Sequence, residues 1–282
     1  MTRTCLIGLL RLIAVPLLCS VGASCALASV QGSLVGVTSG FVPGSAPFVS
    51  IDPDTGVYTT LSTAARSHNA LAADSSGDLY ASWFSGSGDQ GRVSRIDPNT
   101  GVIIETFNAV TPGAGDIRGL AFDGADTLYA VVNRNDQFGA PTLPDDLYTI
   151  DLDSETTTLV GSLGFMSVQG LDFSPSGDLV AWDIGDGLLE VDPLTGAAVD
   201  AGPTDGSPLI QSIAFAPDGA LYGAGPRLFE LNPADGSVIS AGPSGGPDVR
   251  GIEWVVPEPS TSVGAAVLTA LACLCRRRFI GS

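Results

Sequence analysis

Ile51-Asp52-Pro53-Asp54-Thr55-Gly56 decides the fold, because the chain repeats it. The run returns as Ile96-Asp97-Pro98-Asn99-Thr100-Gly101, Ile150-Asp151-Leu152-Asp153, Val191-Asp192-Pro193-Leu194-Thr195-Gly196 and Leu231-Asn232-Pro233-Ala234-Asp235-Gly236. The spacings are 45, 54, 41 and 40 residues. A period of about 40–50 residues is that of a propeller blade. Proline presets φ and glycine accepts the left-handed position, so each run reads as a hairpin connector.

Two further elements keep the same beat. One is Leu79-Tyr80-Ala81, Leu128-Tyr129-Ala130, Leu179-Val180-Ala181 and Leu221-Tyr222-Gly223. The other lies upstream of each, as in Gly119-Leu120-Ala121-Phe122-Asp123 and Gly170-Leu171-Asp172-Phe173-Ser174. Each unit then reads as an inner strand, a Gly/Asp turn, the Leu-Tyr-Ala strand, a loop, a strand ending in Ile-Asp, the proline turn and an outer strand. Short alternating strands are not stable as one isolated sheet and need neighbours on both faces.

The first unit, opening at Ser33-Leu34-Val35-Gly36-Val37, lacks an inner strand, and Arg250-Gly251-Ile252-Glu253-Trp254 supplies it from the far end. The expectation is an all-β, five-bladed β-propeller with four antiparallel strands per blade. The C-terminal strand completes the first blade, which closes the ring and removes its edges. The blades are 30–63 with 249–255, 64–109, 110–163, 164–204 and 205–248; there is no room for a sixth. The pattern is similar to NHL-like and quinoprotein-like propellers.

Composition narrows the chemistry. The chain has 282 residues, 36 Gly and a formal charge of −18, with Arg as its only basic residue apart from a single His. Phosphate binding draws on Lys and Arg, so this balance argues against nucleic acid. All 30 acidic residues lie between Asp52 and Glu258; setting the five terminal arginines aside leaves 7 Arg and a body charge of −23. All five Cys (5, 19, 25, 273 and 275) fall in the two apolar ends. The body, about 225 residues long, must be held by its core and hydrogen bonds alone.

The ends read as addresses. Arg3 and Arg11, the apolar stretch Leu12–Leu18 and the Ala26-Leu27-Ala28 cleavage pattern make residues 1–28 a secretory signal peptide. Cys25 as a lipoprotein site would follow Gly22, a poor stand-in for the usual aliphatic residue. At the other end, Val256-Pro257-Glu258-Pro259-Ser260 precedes the apolar stretch 261–275 and then Arg276-Arg277-Arg278. The stretch is slightly short for a span of about 17–25 residues, and the arginines suit a cytoplasmic anchor. This order over residues 256–282 resembles the PEP-CTERM sorting signal. The resemblance implies a Gram-negative-type bacterium, recognition at Pro257, Glu258 and Pro259 by an exosortase-type processing enzyme, and delivery to the outer surface or extracellular matrix. The chain would be membrane-anchored through 261–275 before processing.

Aligning the units places Asn69, Arg118, Gln169, Gln211 and Arg250 two residues before each inner-strand Leu or Ile. In a propeller these positions meet at the mouth of the central channel. Three long connections, Thr38–Ala46, Ser85–Gly91 and Asn133–Asp145, open on the same face. A polar ring rimmed by loops is where propellers bind, although a hydrated channel lining reads the same way. Where three units carry Ala72, Ala121 and Ala214, the others carry Asp172 and Glu253. A buried acid needs a partner, and Arg118 and Arg250 are the expected ones. His68 would sit at the same mouth.

No catalytic or transition-metal constellation follows from one His and no internal Cys. Asp52-x-Asp54-x-Gly56 resembles the start of a calcium loop, but its middle position becomes Leu194 and Ala234 in sister turns and no Glu holds the twelfth position. The leading expectation is a non-enzymatic binding module without a cofactor, taking a polysaccharide or surface-protein ligand. An acidic spacer without a ligand comes next. An extracellular hydrolase or lyase of the propeller-lactonase type, using Asp172, Glu253 and His68 around a metal, comes third.

Overall fold

The computed structural model describes residues 32–39, 46–64, 66–84, 91–108, 115–134, 142–202, 207 and 209–256. The signal and sorting segments, Pro257, Glu258 and Pro259 included, lie outside them. The described residues form five four-stranded antiparallel sheets. The first blade holds β1 (Ser33–Thr38), β2 (Ala46–Ile51) and β3 (Tyr58–Ala64), with β20 (Val249–Val255) as its inner strand. The second is β4 (His68–Ala73), β5 (Leu79–Trp83), β6 (Val93–Ile96) and β7 (Ile103–Phe107). The third is β8 (Asp116–Phe122), β9 (Leu128–Asn133), β10 (Asp146–Asp151) and β11 (Thr156–Ser162). The fourth is β12 (Val168–Phe173), β13 (Leu179–Asp183), β14 (Gly187–Val191) and β15 (Ala198–Asp200). The fifth is β16 (Ser212–Phe215), β17 (Leu221–Ala224), β18 (Leu228–Leu231) and β19 (Val238–Ala241). This is the expected five-bladed propeller.

Closure follows the sequence reading. β20 pairs antiparallel with β1, Leu34 opposite Trp254 and Gly36 opposite Ile252. The inner strands touch in the cyclic order β20, β4, β8, β12, β16 and back to β20. They approach so closely that Gly119, Gly170 and Gly251 leave no room for a Cβ. A Cβ on Gly119 would stand 2.8 Å from the Leu171 Cβ, and one on Gly251 would stand 2.7 Å from the Ala70 backbone. Small residues there let five strands converge on one axis.

The apolar residues of the three inner strands of each blade bury between sheets. Leu71, Leu79 and Ile96 pack on Val35, Val37 and Phe48 of the first blade. Ala70, Ala72 and Val93 face Ile117, Leu120 and Leu128 of the third. Each blade thus contributes its two faces to two different clusters, which welds neighbours pairwise around the ring.

The repeated turns are built by their aspartates. Asp52 Oδ1 accepts from the Asp54 and Thr55 N–H groups, and Asp97 Oδ1 does the same for Asn99 and Thr100. Asp151, Asp192 and Asn232 repeat the bond to the residue two ahead. The carboxylates shape the turns as Asx caps, and the bonds hold several of them below the usual carboxylate range.

Candidate functional site

Four of the five inner strands carry their polar residue where strand pairing is irregular. His68 pairs with Trp83 and Ala70 with Ser82, so Asn69 is an extra residue. Ile117 pairs with Val132 and Gly119 with Val131, which leaves out Arg118. Gln169 falls in the slip between Val168 and Leu171, and Arg250 in the slip between Val249 and Gly251. In the fifth blade, regular pairing starts at Ser212, one residue after Gln211, whose N–H bonds to the Ala224 carbonyl at 2.7 Å. A bulge swings one side chain out of the pleat, and bulges gather beside binding sites. The alignment located these positions; the bulges explain how polar side chains stand there without disrupting the core below.

The arginines are held by aspartates two residues upstream. Arg118 Nη2 bonds Asp116 Oδ2 at 3.0 Å, and Arg250 Nη2 bonds Asp248 Oδ2 at 2.8 Å. Ser39 Oγ donates to the same Asp248 oxygen at 2.6 Å. The expected pairing of these arginines with Asp172 and Glu253 is therefore corrected. The arginines sit at the start of their strands and the acids near the end, because alignment fixes a level along the strand and the two levels differ. The partners were legible as a repeat, since Asp116-Ile117-Arg118-Gly119 and Asp248-Val249-Arg250-Gly251 share one pattern.

Asn69 stands between the two arginines in the ring order. It is 1% exposed, and among the described residues neither its Oδ1 nor its Nδ2 has a hydrogen-bond partner. His68 Nε2 beside it and Arg118 Nε also lack one. A buried amide with neither bond made costs several kcal/mol unless water or a ligand completes it. Burial, assisted by Arg66, pushes His68 down to about 4, so its ring is neutral at neutral pH. Burial lowers the Arg118 pKa, and Arg250, close enough for the two charges to oppose each other, acts in the same direction.

Gln169 is anchored by a network the sequence did not reveal. Its Nε2 donates to Asn133 Oδ1, while Asn133 Nδ2 donates to Asp145 Oδ2 and to the Val168 carbonyl. Asp145 also accepts from the N–H groups of Arg134, Ser167 and Val168. This fully buried carboxylate joins the third blade to the fourth; burial pushes it up to about 6. Residues 40–45, 85–90 and 135–141 of the long connections lie outside the described residues.

Asp172 and Glu253 sit at the far end of the channel. Glu253 accepts from the Ala73 N–H. Ala73 lies five residues along β4 from His68, about 16 Å at the usual strand rise. The three groups of the hydrolase reading thus do not converge. Among the described residues no set of three or more His, Cys, Asp or Glu could hold a metal ion. On the face away from the mouth, a groove of about 910 Å³ runs between the fourth and fifth blades, lined by Pro175, Asp178, Glu190, Pro193, Phe215 and Pro233.

No family model and no curated protein matches the chain. Solved structures do. A chain of the nidogen/laminin complex is 12% identical, covering 81% of this chain and 100% of its own, at a TM-score of 0.51. A gluconolactonase from Xanthomonas campestris is 15% identical over 77% of this chain and 78% of that one, at 0.48. A protein of unknown function from Bacteroides caccae is 12% identical over 75% and 73%, at 0.43. What is shared is the propeller. At such identities the likeness is one of fold. Among the described residues no helix is long and apolar enough to cross a membrane.

Proposed function

We propose that this chain is an exported, non-enzymatic binding module that takes a neutral, hydroxylated ligand at the mouth of its channel, on a glycan or a surface-protein partner. One observation carries the reading: the buried, unpartnered amide of Asn69 between Arg118 and Arg250. Its oxygen accepts and its nitrogen donates, which suits hydroxyl groups that do both. Charge supports the same class. Each arginine already has its aspartate, so the mouth offers directional donors without a net positive charge to recruit an anion.

The ends support export. The signal peptide and the Pro257-Glu258-Pro259 tail, with its resemblance to the PEP-CTERM signal, suit delivery to the cell surface or matrix through an exosortase-type enzyme. The body charge of −23 keeps such a domain dispersed among acidic surface polymers.

The test is a thermal melt of the full chain with dextran, β-glucan oligosaccharides, alginate and calcium. A ligand at about 100 times its dissociation constant adds roughly 2.7 kcal/mol, a shift of several degrees. A rise with a neutral glucan that Arg118→Ala and Arg250→Ala abolish supports the reading. A rise with calcium alone moves the site to the aspartate turns, and no rise with any saccharide favours the spacer.

A further inference from the structure

At one level of the channel the five inner strands present Ala72, Ala121, Asp172, Ala214 and Glu253. The free edge of an inner strand leaves N–H groups that no sheet neighbour takes. Asp172 Oδ2 accepts one of them, from Phe215 of the next blade, at 2.6 Å, while Oδ1 accepts from Phe173 at 2.8 Å. Glu253 accepts from Trp254 at 2.7 Å and from Ala73, again in the next blade. Phe215 follows Ala214 and Ala73 follows Ala72, so both acids reach the same place on the neighbouring strand. Asp172 thereby ties β12 to β16, and Glu253 ties the closing strand β20 to β4.

The two carboxylates also repel each other across β16. The basic groups of these strands face elsewhere: Arg118 and Arg250 hold Asp116 and Asp248 at the mouth, and His68 lies at the mouth end of β4. The remaining positions at this level are alanines. Two part-buried like charges without a counter-charge relieve their repulsion when one of them keeps a proton.

We propose that Asp172 and Glu253 form a protonation-dependent latch on ring closure: with one of the two protonated they tie four inner strands together, and with both ionised they push β20 away from its neighbours. Burial pushes Asp172 up to about 7, and burial together with Asp172 raises Glu253 well above the usual carboxylate range. The unfolded chain releases both protons near pH 4. The folded state therefore binds more protons between about pH 4 and 7, and stability falls as pH rises through that window.

The test is the melting temperature of the full chain, of Asp172→Asn and of Glu253→Gln, from about pH 5 to about pH 8. Each amide removes the titrating charge and keeps one acceptor oxygen for the next blade while giving up the second, so the comparison is made on the pH dependence, and either variant serves if the other fails to fold. The wild type should lose several more degrees across this range than the variants. Profiles that run parallel overturn the latch. A recovery of the wild type at pH 8 with added calcium also overturns it, because a cation would then take the place of the proton.

Discussion

Gly101 of the second blade stands so close to Phe48 of the first that a Cβ would lie 2.7 Å from its Cβ and Cγ. Gly101 also adopts φ 65°. The turn that recurs in the sequence is thus a docking point between blades as well as a hairpin. Gly101→Ala should destabilise the fold by about 2–3 kcal/mol, through left-handed strain and overpacking together. Urea denaturation of the variant beside the wild type measures this.

The third blade breaks the rule. Glu155 fills the glycine position there and takes φ 52°. Left-handed backbone costs a residue with a Cβ roughly 1–2 kcal/mol, and glycine's freedom in the unfolded chain offsets part of that. Glu155→Gly should therefore stabilise by about 0.5–1 kcal/mol in the same denaturation assay.

Asp145 gathers four N–H donors between the third and fourth blades. Asp145→Ala leaves them buried without an acceptor, and a loss of about 3 kcal/mol is expected. An unchanged denaturation midpoint would show that water replaces the carboxylate at no cost.

His68 sets the acid limb of stability. Its folded pKa of about 4 lies below its unfolded value, so the unfolded state takes up the proton first as pH falls. His68 should cost stability progressively from about pH 6.5 down to about pH 4, opposite in sign to Asp172 and Glu253. His68→Leu should flatten this limb and leave intact the fall in stability as pH rises toward about 7, which melting curves across the range will show.

The repeat made the fold legible. The proline turns gave the period, and the stray strand Arg250–Trp254 gave the closure, because both are local patterns with one geometric outcome. The mouth positions were legible for the same reason. Asn69 and its neighbours share a register, and register survives translation into space. What the alignment could not convey was which end of a strand a side chain reaches. It therefore joined Arg118 and Arg250 to acids a strand-length away, although Asp116 and Asp248 stood two residues upstream. The bulges were equally hidden, since they arise from pairing between strands and leave no mark on one strand's sequence. The Asn133–Asp145 network joins blades through a loop end that has no counterpart among the described residues of the other units.

A neutral, hydroxylated ligand should complete Asn69. The most direct measurement is nuclear magnetic resonance of the Asn69 side-chain amide and of the Arg118 and Arg250 Nε–H signals, during titration with β-glucan oligosaccharides and, separately, with alginate. All three should move together with the neutral glucan, and alginate should leave them in place. Signals that stay fixed with the glucan, or that move with alginate alone, would contradict this reading.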